Sequence, residues 1–186
     1  MSMPDNESDY ADIAGPADLG DDDDDGGELA STEALVWQLL LLINPGDEEA
    51  ALQQFSSWRD ALEEAGPDTA PEWLLKDAID WRSGFHVDWK DPASFIDAIT
   101  ELVARWNLEI DWGGEASDED FLLANDVPTL MARAHDRLRE HGYTLWTWNT
   151  EGRGHAGWIA LAREDEAVRL VASALELELH AGSDPF

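Results

Sequence analysis

The sequence predicts an α+β fold, with a mixed α/β arrangement as the neighbouring alternative. About six helices pack on a small mixed sheet of about four strands, and a disordered acidic tail precedes them. Three observations carry this. Residues 143–148 (YTLWTW) and 157–162 (GWIALA) are short apolar runs of strand composition on either side of a polar, glycine-bearing tip. Residues 85–112 hold two alternating segments around one helical pattern. Most of the remaining chain from residue 28 onward shows apolar stripes at helical spacing, bounded by caps and breakers.

In chain order, residues 1–27 form the tail. They carry almost no apolar mass and end in a run of aspartates, Asp21 to Asp25, followed by two glycines. Such a run is solvated and self-repelling. Ser31 is placed to cap a helix that runs to Ile43 and stops at Asn44-Pro45-Gly46. LVWQLLLLI is apolar on nearly every side, which marks a buried helix. Asp47 caps a second helix with Ala51, Phe55, Trp58 and Leu62 inward, ended by Gly66-Pro67. Pro71 suits the first turn of a third, with Leu74, Leu75, Ala78 and Ile79 inward and Gly84 as C-cap.

Residues 85–90 alternate. Phe85, Val87 and Trp89 lie on one face, and His86, Asp88 and Lys90 on the other. His86 and Asp88 therefore point the same way, as metal ligands, an acid–base pair or the wet side of an edge strand do. Asp91-Pro92 opens a fourth helix with the stripe Ile96, Ile99, Leu102, Val103 and Trp106. Residues 108–112 alternate again, with Leu108, Ile110 and Trp112 inward. Strand, helix and strand in succession permit a parallel pairing through a right-handed crossover. After a polar connection and a short turn at residues 121–124, Asp126 and Pro128 open a helix ended by Gly142, with Leu130, Met131, Ala134 and Leu138 inward. The hairpin forms the centre of the sheet. Residues 164–179 make the last helix, with Ala167, Leu170, Val171 and Ala174 inward. One domain spans residues 28–180, and residues 181–186 are a flexible C-terminus.

The chain has 186 residues and a formal net charge of −31, from 42 acids against 11 bases. Such a field repels nucleic acid and anionic lipid and favours basic partners. The first 28 residues hold eleven acids and no base. The remainder is still strongly acidic, so the acidity belongs to the globular part as well. A solubilising surface, adaptation to high salt, and a face for a basic protein (DNA mimicry included) each account for it. Absence of cysteine excludes disulfides, thiol catalysis and Cys-ligated zinc, and fits a reducing cytoplasm. The N-terminus has no secretory pattern, and the longest apolar run, residues 35–43, is far short of the ~20 residues that span a bilayer. These features place the protein in the cytoplasm, away from membranes. Ten tryptophans are spread through every element and look mainly like core.

Charge balance reverses in one place. Residues 129–163 hold five arginines, at 133, 137, 139, 153 and 163, against three acids. Arg153 and His155 sit on the hairpin tip. Arg133, at the far end of the preceding helix from Gly142, is the expected neighbour of that tip. Arg133, Arg153 and His155, beside Trp146, Trp148 and Trp158 of the hairpin, are the candidate binding residues. They suit an anionic ligand, or the acidic tail itself. No P-loop, GxGxxG, HExxH or GxSxG occurs, so no catalytic residue, metal ligand or cofactor is assigned.

In layout the chain resembles small cytoplasmic bacterial domains of unknown function. The features that carry this are the acidic tail, the helical first half, the segment LLANDVPTLMARAHDRLREHGYTLWTWNT and the hairpin after it, over about residues 30–180. In being small, acidic, Trp-rich and α+β it is also similar in composition to bacterial immunity and antitoxin proteins. Neither likeness assigns a role to a numbered residue. The leading expectation is a non-enzymatic protein-binding module, an inhibitor or immunity-like partner of a basic protein. The alternative is a small-molecule or anion-binding protein, or an enzyme, with its site near the 149–157 hairpin loop.

Overall fold

A computed structural model describes residues 24–150 and 152–186. The expected acidic tail falls mostly on residues 1–23, outside the described residues. The elements are α1 (Asp24–Ile43), α2 (Glu48–Ala65), α3 (Pro71–Ala78), β1 (Gly84–Asp88), α4 (Pro92–Ala104), α5 (Glu119–Ala124), α6 (Val127–Glu140), β2 (Tyr143–Trp148), β3 (Gly154–Leu161), α7 (Asp165–Ala174) and β4 (Leu179–Ala181). The four strands form one sheet in the order β1-β3-β2-β4, antiparallel throughout. The fold is α+β, and the β2–β3 hairpin is its centre.

Helices cover both faces of the sheet. Alternation along the strands divides the core in two. Trp146, Trp148, Ala156, Trp158 and Ala160 pack against buried residues of α1, α2, α3 and α7. Phe85, Val87, Leu145 and Ile159 pack on the opposite face against α4 and α6, with Trp112. Gly157 is required where it stands. A Cβ there would collide with the Trp146 carbonyl and come within 3.0 Å of the Phe85 ring.

Capping follows the sequence closely. Asp47, Asp91 and Asp126 accept from the backbone N–H of Ala50, Ser94 and Thr129, at 3.0, 3.0 and 2.9 Å. The Ser94 and Thr129 bonds hold the Asp91 and Asp126 carboxyls below the ordinary carboxylate range. The α6 stripe of Leu130, Met131, Ala134 and Leu138 is buried as expected.

Several expectations fail. Ser31 caps no helix, because α1 already begins at Asp24 and runs through it. Residues 108–112 form no strand. Leu108, Ile110 and Trp112 do face the core, but α4 ends in a left-handed turn at Asn107 (φ 56°) and the segment crosses the α4–α6 layer without a ladder partner. The parallel pairing is therefore not made. Gly84 opens β1, while the C-cap of α3 is Ile79. Trp89 lies beyond β1 and is exposed. The last helix stops at Ala174, and β4 occupies part of the span expected to be helical. Its end is a Schellman turn: Leu177 N–H reaches the Ala172 carbonyl at 2.8 Å, and Glu176 takes φ 59°. The buried stripe is Val168, Val171 and Ala172 with Leu175 beyond, and Leu170 is 65% exposed.

A buried polar ring fixes the turn between α3 and β1. Asn44 Nδ2 donates to Gln54 Oε1 at 3.0 Å, Gln54 Nε2 donates to Ser83 Oγ at 2.7 Å, and the Ser83 hydroxyl closes the ring on Asn44 Oδ1. Asn44 also donates to the Leu40 carbonyl at 2.8 Å, and Gln54 to Asp80 Oδ1 at 3.2 Å. Three long-range polar side chains are thus satisfied inside the protein.

Candidate binding cleft

The site is built on one row across the sheet. His86 is in register with Ala156, Ala156 with Trp148, and Trp148 with Leu179. Residues in a row share a face. The next row pairs Asp88 with Gly154. β3 thus contributes only Ala156 and Gly154 between the larger flanking side chains, and a hollow remains where α1 and α7 do not reach. Gly154 is required by close approach, since a Cβ would lie 2.9 Å from both His86 Nε2 and the Val87 carbonyl.

Three clefts meet at Trp148. The first, about 470 Å³, lies between β1 and the wall formed by α3 and the following turn, with Lys76, Asp77, Asp80 and Trp81 along that wall. The second, about 270 Å³, runs from Glu72, Trp73 and Lys76 to Glu176 and Glu178. The third, about 350 Å³, lies at the hairpin tip among Trp89, Thr150, Arg153, His155 and Phe186. Lys76 borders the first two and points its Nζ at the Thr150 carbonyl, 3.4 Å away, tying α3 to the hairpin loop. Its ammonium also sits 5.7 Å from the Trp73 ring centroid.

The rim is aromatic. Trp73, Trp81, Trp89 and Phe186 are 46, 66, 46 and 41% exposed. Lysine and arginine already lie over three of these rings: Lys76 on Trp73, Arg82 on Trp81 at 5.7 Å and Lys90 on Trp89 at 4.8 Å. The first two clefts are acidic, through Asp77 and Asp80 in one and Glu72, Glu176 and Glu178 in the other. The third carries Arg153 and His155 and no acid among its described lining residues. Burial lowers the His155 pKa, and Asp126 works in the opposite direction. The Thr150 hydroxyl is buried and has no hydrogen-bond partner among the described residues.

Of the six residues singled out in the sequence, Trp148, Arg153 and His155 meet in the third cleft. Trp146 and Trp158 face each other across β2 and β3, inside the core. They line none of the three clefts. Trp158 packs 5.8 Å from Trp148, and the Arg169 guanidinium covers Trp146 at 5.1 Å. Arg133 is not joined to the tip. It donates to the Trp112 carbonyl and lines a separate depression with Asp136, Arg137 and Glu140. Sequence reasoning missed Trp73, Lys76, Trp81 and Phe186, and placed Trp89 on the inward face. One signal was present: with Leu75 and Ala78 inward, Trp73 falls on the solvent side of a short helix.

An antiparallel sheet between two helical layers, opening at one end into aromatic-rimmed clefts, defines the class of fold. A family model described as a domain of unknown function (DUF6630) matches residues 35–182, and the chain belongs to that family. No curated protein and no solved structure matches it. Among the described residues no helix is long and apolar enough to cross a membrane.

Proposed function

We propose that the protein is a binding module for a basic polypeptide, an inhibitor or immunity-type partner, which it takes at the Trp148 end of the sheet. One observation carries this reading: each of the three clefts pairs Trp148 with a different exposed aromatic, and two of the three are walled by acids. Exposed tryptophans around a buried one are the composition of binding hot spots. Acids beside them suit arginine and lysine, which tryptophan faces also attract. The net charge of −31 steers a basic partner toward the surface and makes association salt-sensitive. A cysteine-free chain suits a cytoplasmic setting for that encounter.

The test is recovery of a partner by the tagged protein at low salt, followed by reconstitution with that purified partner. The expected outcome is a stoichiometric complex with a basic protein, whose on-rate falls at least about tenfold between low and physiological salt. A salt-independent complex contradicts the steering, and retention of a small anion with no protein contradicts the reading.

A second reading has its own observation. Arg153, His155 and the Thr150 hydroxyl, which has no hydrogen-bond partner among the described residues, share the third cleft, which suits a small anion with an aromatic part. Calorimetry with the Arg153→Ala/His155→Ala variant separates this reading from the first, because the acidic clefts are untouched.

A further inference from the structure

β1 is an edge strand, laddered only to β3. Its register shows which backbone groups face outward. Trp89 N–H donates to the Arg153 carbonyl at 3.3 Å, continuing the ladder past Asp88. Antiparallel ladders bond at every second residue. Val87 and Phe85, in register with His155 and Gly157, therefore bond inward to β3. Gly84, His86 and Asp88 turn their backbone groups away from the sheet. Two of these are used locally: Gly84 N–H donates to the Asp80 carbonyl, and the Asp88 carbonyl accepts from Asp91 N–H, both at 3.0 Å. The Gly84 carbonyl, the N–H and carbonyl of His86, and the Asp88 N–H have no hydrogen-bond partner among the described residues.

The free groups of Gly84 and His86 border the first cleft, and the Asp88 N–H lies beyond it. Gly84, Phe85 and His86 line it, with Asp77, Asp80 and Trp81 on one side and Ala98 of α4 on the other. The lining takes in both layers, so the hollow follows the open side of β1. The geometry points to β1 as a docking edge that accepts an extended basic segment of a partner polypeptide as a fifth strand. This rests on the protein-binding reading and names where the partner's backbone goes. Main-chain bonds to the exposed His86 and Asp88 supply the register, since Gly84 is buried, and alternate side chains supply specificity. Side chains on the His86 face of the added strand meet Asp77, Asp80 and the Trp81 ring, with Lys76 beside them and Arg82 on Asp80 and Trp81, so a basic side chain there takes the place of Arg82. Those on the other face pass Ala98, so that face is apolar. A second copy of this chain is the poorer occupant, because two surfaces of the same strong negative charge would meet.

The test titrates ¹⁵N-labelled protein with the capped peptide Arg-Val-Arg-Val-Arg, using Glu-Val-Glu-Val-Glu as control. The basic peptide is expected to shift the His86 and Asp88 amides and slow their hydrogen exchange at least about tenfold. His86→Pro removes an outward N–H that takes no part in the β3 ladder, a replacement edge strands tolerate. It is expected to weaken binding at least about tenfold, whereas His86→Ala keeps it. Should the proline variant fail to fold, amide protection in the wild type decides alone. Binding that perturbs Trp73 and Trp148 but leaves His86 and Asp88 unchanged overturns the docking edge and spares the protein-binding reading. No binding of the basic peptide counts against both. Edge pairing between two copies, seen as a dimer in solution, overturns the choice of occupant.

Discussion

Ser83→Ala probes the polar ring that holds the α3–β1 turn. Ser83 is fully buried, and Asn44 and Gln54 are each 3% exposed. Removing the hydroxyl leaves Asn44 Oδ1 without a donor. Gln54 loses its 2.7 Å acceptor but keeps Asp80 at 3.2 Å. One fully orphaned buried acceptor and one partly satisfied donor cost about 2 kcal/mol, within the range of about 1–3 for a buried group left unmade. For a chain of this size that lowers the melting temperature by roughly 4–8 °C. Thermal denaturation followed by circular dichroism measures it, with Ser57→Ala on the exposed side of α2 as the neutral comparison. Because Asp80 and Trp81 lie in the turn the ring fixes, affinity for a basic peptide should fall as well. A Ser83→Ala shift no larger than that of Ser57→Ala would refute the ring.

Other outcomes follow from the same geometry. Gly157→Ala forces a Cβ into the Trp146 carbonyl and against Phe85, and urea melts should show a loss of about 3 kcal/mol or more. An NMR titration should place the His155 midpoint below its ordinary value of 6.5. A histidine with a lowered folded pKa adds stability above about pH 6.5 and loses it as pH falls through the folded value. Between neutral and mildly acid pH the wild type should therefore lose more stability than His155→Gln. Arg139 pairs with Asp165 at 2.7 Å and with the Thr144 hydroxyl at 2.8 Å, but the ion pair is part-exposed. Arg139→Ala should cost about 1–2 kcal/mol in a denaturant melt, most of it from the buried Thr144 hydroxyl left without its donor rather than from the ion pair.

Local signals in the sequence were sound where the structure depends on neighbours in the chain. Asp47, Asp91 and Asp126 cap their helices, and the α6 stripe and central hairpin stand as expected. Failures arose where tertiary placement decides. Alternation at residues 108–112 reported which side is buried, which is true of an unpaired crossing segment as much as of a strand. The end of α7 was hidden because a glutamate, Glu176, takes the left-handed position that glycine usually marks. The α7 stripe was misread by a fraction of a turn, which exchanges Leu170 for Val168. The hairpin loop placed Arg153 and His155 near Trp148, and the structure brings the three to one cleft. The α3 wall facing Trp148 in the other two clefts was invisible because it is far away in the chain. The ring of Asn44, Gln54 and Ser83 escaped for the same reason.

We infer that the aromatic rim of the Trp148 clefts binds a basic segment. Trp73 and Trp81 are exposed, so replacing both leaves the core intact. The most direct measurement is the affinity of the Trp73→Ala/Trp81→Ala variant for the Arg-Val-Arg-Val-Arg peptide, beside its melting temperature. Binding is expected to weaken at least about tenfold with the melting temperature unchanged. Wild-type affinity in the double variant would contradict it.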